Sequence, residues 1–175
     1  MAAPSAAAAG AYPAAAGVTV TDSIALRGRL IGIDHGLVRI GVAVSDRIGM
    51  TARELLVMTR RSKREDFAQL TQIAAEHQAI GWVVGLPSPY DDVEGVYSQS
   101  KKVETWVGYL RETTTLPIVL WDEQLTSVDA RALAHQQKRP LRAPVDDLAA
   151  RVMLSSYLDA LHDGLATAPP EWIVS

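Results

Sequence analysis

Apolar residues fall into short runs separated by turn-forming and charged residues, and the period of those runs changes along the chain. Leu30, Ile31 and Ile33 lead straight into Asp34; a turn follows at His35, Gly36, Leu37 and Val38, and a second apolar run covers 39–44. Residues 50–59, with Leu55, Leu56, Val57 and Met58, predict a third strand. From 65 to 77 the period lengthens, because Phe67, Leu70, Ile73 and Ala74 recur at helical spacing. The continuous run at 80–85 then reads as a strand covered on both faces.

Gly85, Leu86, Pro87, Ser88 and Pro89 break that strand, Asp91 and Asp92 form an acidic loop, and Val96, Val103, Val107 and Leu110 mark a second helix ending near Arg111. A strand at 118–121 runs into Asp122 and Glu123. Thr126, with Asp129 three residues on, resembles a capping box for a third helix. That helix gives way to a basic loop at Gln136, Gln137, Lys138, Arg139 and Pro140. Pro144 precedes a last helix over 145–162, and Ala168, Pro169 and Pro170 open a tail with no structural signal. Three strands in meander followed by alternating helices and strands predict an α/β domain, a mixed five-stranded sheet with helices on its faces.

At 175 residues the chain fits one folded domain, expected at 29–163, between a disordered leader over 1–28 and a tail over 164–175. The leader is rich in alanine, interrupted by Pro4, Gly10, Pro13 and Gly17, and has no Lys or Arg before Arg27, unlike a secretory or organellar signal. No run approaches the roughly 20 apolar residues of a membrane span. The absence of cysteine excludes disulfides and thiolate metal sites, and is compatible with a reducing cytoplasm. A net charge of −3 argues against coating nucleic acid by bulk electrostatics and turns attention to local clusters.

The carboxylates are where packing fails as an explanation. An unpaired carboxylate is costly to bury, so Asp34 at the end of an apolar strand belongs in a cleft or beside a cation. Glu123 stands just beyond the carboxyl end of another strand, where ligands collect in open α/β sheets. Its neighbour Asp122 points to the opposite face of that strand, so only one of the two joins Asp34 easily. Asp146 shares a face of the last helix with Ala149, Ala150 and Met153, whereas Asp147 aligns with Arg151 and Leu154 in an i,i+4 arrangement that predicts an outer position. Asp34, Glu123 and Asp146 would repel one another if brought together empty. Convergence makes sense around Mg2+ or Mn2+, hard ions that take oxygen ligands and whose natural use in pairs is phosphodiester chemistry.

Five motifs, Gly32-Ile33-Asp34-His35-Gly36, Arg39-Ile40-Gly41-Val42-Ala43, Val84-Gly85-Leu86-Pro87, Trp121-Asp122-Glu123 and Val145-Asp146-Asp147-Leu148-Ala149-Ala150, stand in the order and spacing that resemble the YqgF/RuvX family. The resemblance implies an RNase H-like fold and a metal-dependent acidic site at Asp34, Glu123 and Asp146. Family members are described as Holliday junction resolvases and as nucleases maturing the 5′ end of 16S ribosomal RNA precursor, bacterial and cytoplasmic. The implied partner is therefore branched or single-stranded DNA, or precursor ribosomal RNA, with no membrane.

Departures from the family pattern are Gln124 where an arginine is common, Asp92 where glycine is usual, and Leu37 and Val38 in the hairpin turn. Leu37, Val38 and Asp92 suggest an altered substrate edge or a self-association surface, hence a homodimer. Arg39, the cluster Arg60, Arg61, Lys63 and Arg64, and the group Lys138, Arg139 and Arg142 are candidates for phosphate contacts. Asp122, Gln124 and Asp147 are candidates for supporting the acidic triad. His35, next to Asp34, faces the other way if the strand persists. The alternative to a two-metal endonuclease is a non-catalytic RNA- or ribosome-binding module that keeps the fold with a weakened site. A third reading, an actin-like phosphotransferase, needs a second lobe for which the chain is too short.

Overall fold

A computed structural model describes residues 25–87, 98–122 and 146–174. The opening hairpin organises the sheet. Strand β1 (Arg29–His35) pairs antiparallel with β2 (Arg39–Ser45), which pairs antiparallel with β3 (Ala52–Thr59). On its other side β1 takes β4 (Ala79–Leu86) in parallel, and β4 takes β5 (Ile118–Asp122) in parallel. The order β3-β2-β1-β4-β5 makes the mixed five-stranded sheet that the alternation of strands and helices predicts.

Strand alternation sorts the apolar residues into two cores. Ile31, Ile33, Val42 and Val84 lie with Phe67 and Leu70 of α1 (Lys63–Glu76) and Trp106 and Leu110 of α2 (Gln99–Thr113). On the opposite face Leu30, Ala43, Val83 and Val119 meet Ala150, Met153, Leu154 and Tyr157 of α3 (Asp146–His162). Ser62 caps helix α1: its Oγ accepts from the Glu65 amide at 3.2 Å and donates to the Glu65 carboxylate at 2.7 Å. Ser98 caps α2, accepting from the Lys101 amide at 3.0 Å. The helix expected from Thr126 and the loops around Asp92 and Lys138 lie outside the described residues.

Both expected ends of the domain need correction. Trp172, in a 3-10 turn at Pro170–Trp172, is fully buried, and Ala166 and Ala168 join the α3-side core. Trp172 lies over Gly81, whose missing Cβ leaves the space for it: a Cβ there would stand 2.1 Å from the indole. At the other end Leu26 is buried and bridges Ile173, while the Arg27 amide donates to the Trp172 carbonyl at 2.7 Å. Residues 25–28, expected in the leader, and 166–173, expected in the tail, thus belong to the domain. A segment this short carries no period, so its apolar contacts are invisible without the sheet it covers.

Candidate active site

The site grows from the junction of β1, β2 and the start of α3. Asp34 stands opposite Gly41 in the hairpin register, and cross-strand partners project to one face. That face is the one α3 covers, since a Cβ on Gly32, two residues before Asp34, would run into Leu154 and the Ala150 carbonyl. A Cβ on Gly41 would stand 1.8 Å from the Asp146 carbonyl oxygen and 2.9 Å from the Asp147 amide. Glycine at 41 is therefore what lets the first turn of α3 rest on the hairpin beside Asp34. A glycine inside an apolar strand opposite an aspartate was the available sequence signal for this close approach.

Asp146 also receives a side chain from the hairpin. Arg39 Nε donates to Asp146 Oδ2 at 2.9 Å, with side chains 48% and 24% exposed respectively. Arg39 and Gly41 share a strand face, so the pair follows from the same alternation that positions Asp34. Asp34 is half-buried, in keeping with a carboxylate at a cleft.

The neighbouring positions separate by face. Asp122 pairs with Leu86 in the parallel register, in phase with Leu120 and Val84, and so lies on the α1/α2 side rather than with Asp34. Trp121 lies on the α3 side, 5.4 Å from Tyr157 and donating through Nε1 to Ser156 Oγ at 3.2 Å. His35 turns away from Asp34, as strand alternation requires, and its ring packs 4.6 Å from Trp106. Burial, together with the positive charge of Arg60, lowers the His35 pKa to about 4, so the ring is neutral; Asp66 opposes the shift weakly.

Asp147 corrects the helix-phase reading. It is buried, with Leu148, Ala150 and Leu154, and its Oδ1 accepts from the Leu148 amide at 2.9 Å. Arg151, its expected i,i+4 partner, reaches across to Glu54 on β3 at 3.0 Å. The buried stripe of α3 is wide enough to take in both Asp147 and Ala149, so an outer position for Asp147 does not exist.

The basic cluster divides as well. Arg60 donates through Nη1 to the carbonyls of Gly36 at 3.2 Å and Leu37 at 3.4 Å, and its Nε lies 3.6 Å from the buried carboxylate of Asp66. It pins the hairpin turn to α1. Lys63 Nζ lies 3.5 Å above the ring centre of Tyr109, a cation–π contact. Arg61 and Arg64 are exposed. Leu37 and Val38, 62% and 65% exposed, line a surface cavity of about 460 Å³ with Arg60, Arg61, Lys63 and Asp66.

Of the expected acidic triad, Asp34 and the backbone of Asp146 both neighbour Gly41 at one end of the sheet, and Glu123 lies outside the described residues, as do Gln124, Lys138, Arg139 and Arg142. Among the described residues no group of three or more His, Asp or Glu side chains is placed to hold a metal ion. The two oxygen donors present are of the type that Mg2+ or Mn2+ prefers, and the glycine cradle holds their backbones close.

Comparison with known proteins reaches the same part of the chain. Residues 28–160 match the family model described as RuvX, Holliday junction resolvase. A protein of Thermoanaerobacter pseudethanolicus that carries the provisional name pre-16S rRNA nuclease is 38% identical over 136 residues, covering 75% of this chain and 96% of its own length. One of Symbiobacterium thermophilum, with the same provisional name, is 36% identical over 150 residues, covering 83% and 99%. Among solved structures, the Thermus thermophilus RuvC in complex with a Holliday junction substrate superposes with a TM-score of 0.58 at 14% identity, covering 80% of this chain and 98% of that one. A second structure of RuvC from that organism gives 0.55 over 79% and 98%. At such low identity the likeness is one of fold, the RNase H-like arrangement of a mixed sheet between helices.

Proposed function

The chain belongs to the RuvX family, and from that premise we propose that it is a metal-dependent endonuclease hydrolysing nucleic-acid phosphodiester bonds, with Asp34, Glu123 and Asp146 as the acidic residues. The observation that supports this reading is the seating of the Asp146 backbone over Gly41, the hairpin partner of Asp34, which brings two acidic residues from distant parts of the chain to one end of the sheet. Asp122 lies on the opposite face of the sheet, in phase with Leu120, which argues against it as the third acidic residue.

Asp34 and Asp146 would hold the divalent cations. When bound, Mg2+ or Mn2+ supplies an activated water and charge neutralisation at the phosphate. The protein's own contribution is positional: β1 and α3 fix the two carboxylates from rigid elements, and the neutral His35 and Trp106 hold the end of β1 from behind. Precursor 16S RNA and four-way DNA junctions are the two substrate classes that the names of the relatives support, and a cytoplasmic setting suits either.

A cleavage panel in Mn2+ or Mg2+ with a four-way junction, single-stranded DNA and precursor 16S RNA tests the proposal. Asp34→Asn should lower cleavage at least ~1,000-fold with an unchanged circular dichroism spectrum, since a charge that organises the metal site acts in every turnover. Equal cleavage by the variant rejects the site. Binding without cleavage by the wild-type protein across the panel turns the assignment toward a binding module.

A further inference from the structure

Arg39 gives the proposed metal carboxylate a competitor. Its Nε occupies Asp146 Oδ2 at 2.9 Å, at the mouth of the site, on a side chain that is nearly half exposed. Such an exposed pair is held weakly and exchanges with solvent ions, because water screens both partners and the long side chain keeps its freedom. A divalent cation on the same carboxylate would bring two positive centres against one another and would bind the oxygen more strongly than a single charge does. Among the described residues nothing else holds Arg39 down in the manner of Arg60, whose guanidinium is tied to two carbonyls and to Asp66.

We propose that Arg39 and the divalent cation compete for Asp146, so that Arg39 neutralises this carboxylate in the metal-free protein and, once metal is loaded, turns its guanidinium to a phosphate of the nucleic acid. The inference rests on the reading of Asp146 as a metal ligand. It assigns Arg39 a positioning role, coupling metal loading to substrate capture. The exchange also lets one carboxylate stay neutralised in both states.

The test is Mn2+ binding to the metal-free protein without nucleic acid, followed by electron paramagnetic resonance of free Mn2+ at fixed ionic strength, for wild type, Arg39→Gln, Arg39→Lys and Asp146→Asn. Arg39→Gln should bind Mn2+ roughly 1.5- to fivefold more tightly, the range over which an exposed ion pair changes an equilibrium. Arg39→Lys, which keeps the charge, should stay closer to wild type. With Ca2+ in place of Mn2+, Arg39→Gln should bind a four-way junction or precursor 16S RNA less tightly, and the slope of log affinity against log salt should flatten by about one phosphate contact. Equal or weaker Mn2+ binding by Arg39→Gln overturns the competition, and unchanged salt dependence overturns the transfer to phosphate. Unchanged Mn2+ binding by Asp146→Asn overturns the metal site itself, so the two failures are told apart.

Discussion

Asp34 and His35 are neighbours with opposite surroundings, and the contrast sets a pH dependence. The alternation of β1 sends Asp34 to the cleft beside α3 and His35 into the packing against Trp106, where burial lowers its pKa to about 4. In the unfolded chain the same ring titrates near 6.5. Between these values the unfolded state binds the extra proton, so the stability from a neutral His35 is complete above about pH 6.5. It falls as the pH drops toward 4 and is level below that. Lowering the pH from 7.5 to 5 should remove about 2 kcal/mol through this residue alone. Urea unfolding of wild type and His35→Phe in a chelator reads the difference: the variant keeps the ring stack and should lose less stability on acidification. Parallel pH profiles would rule this assignment out.

Helix α3 carries Asp146, and small residues of the hairpin decide how closely it docks. At Gly32 an added Cβ would stand 2.8 Å from the Leu154 Cβ, a smaller overlap and two turns further along the helix, whereas at Gly41 it would meet the helix backbone at 1.8 Å beside Asp146 itself. Gly41→Ala should therefore push the first turn of α3 away by more than an ångström. The expected result is a loss of about 1–3 kcal/mol of stability and a fall in cleavage of roughly 100-fold, since a displacement of this size in a catalytic group has that effect. Gly32→Ala should lower the melting temperature while changing cleavage less than about tenfold. Single-turnover cleavage and thermal melts of the two variants make the comparison, and wild-type cleavage by Gly41→Ala would contradict the seating of α3. The strands were legible because short apolar runs bounded by turn residues and acids are local signals. The phase of α3 was not: Asp146 and Asp147 differ by one helical step, and which of them is buried depends on the breadth of the stripe that the sheet covers. The ion pair of Arg39 with Asp146 was equally hidden, because its partners lie 107 residues apart.

At the scale of the whole molecule, the α3 side of the sheet is closed by the ends of the domain. Tyr157 stands between Trp121 at 5.4 Å and Trp172 at 6.4 Å, and its hydroxyl donates to the Thr167 carbonyl at 2.8 Å. Leu26 and Ile173 bridge beside them, and the Val174 amide donates to the Ala25 carbonyl at 3.0 Å. The tryptophan that ends this row has its hole in Gly81, on a strand some ninety positions earlier, so neither half announces the other in the sequence. Removing a buried aromatic side chain typically costs about 3–5 kcal/mol, a large part of the roughly 5–15 kcal/mol that stabilises a domain. Trp172→Ala should lose stability on that scale, and a chain ending at residue 163 should lose cooperative unfolding, because it also removes Ala166, Ala168 and the bridge to Leu26. Gly81 pairs with Leu30 at the start of β1, the end away from Asp34. At a temperature where Trp172→Ala remains folded, its cleavage rate should thus match wild type within about twofold, whereas a site built at this end of the sheet would lose rate and stability together. Denaturant unfolding and single-turnover cleavage of the one variant separate these outcomes.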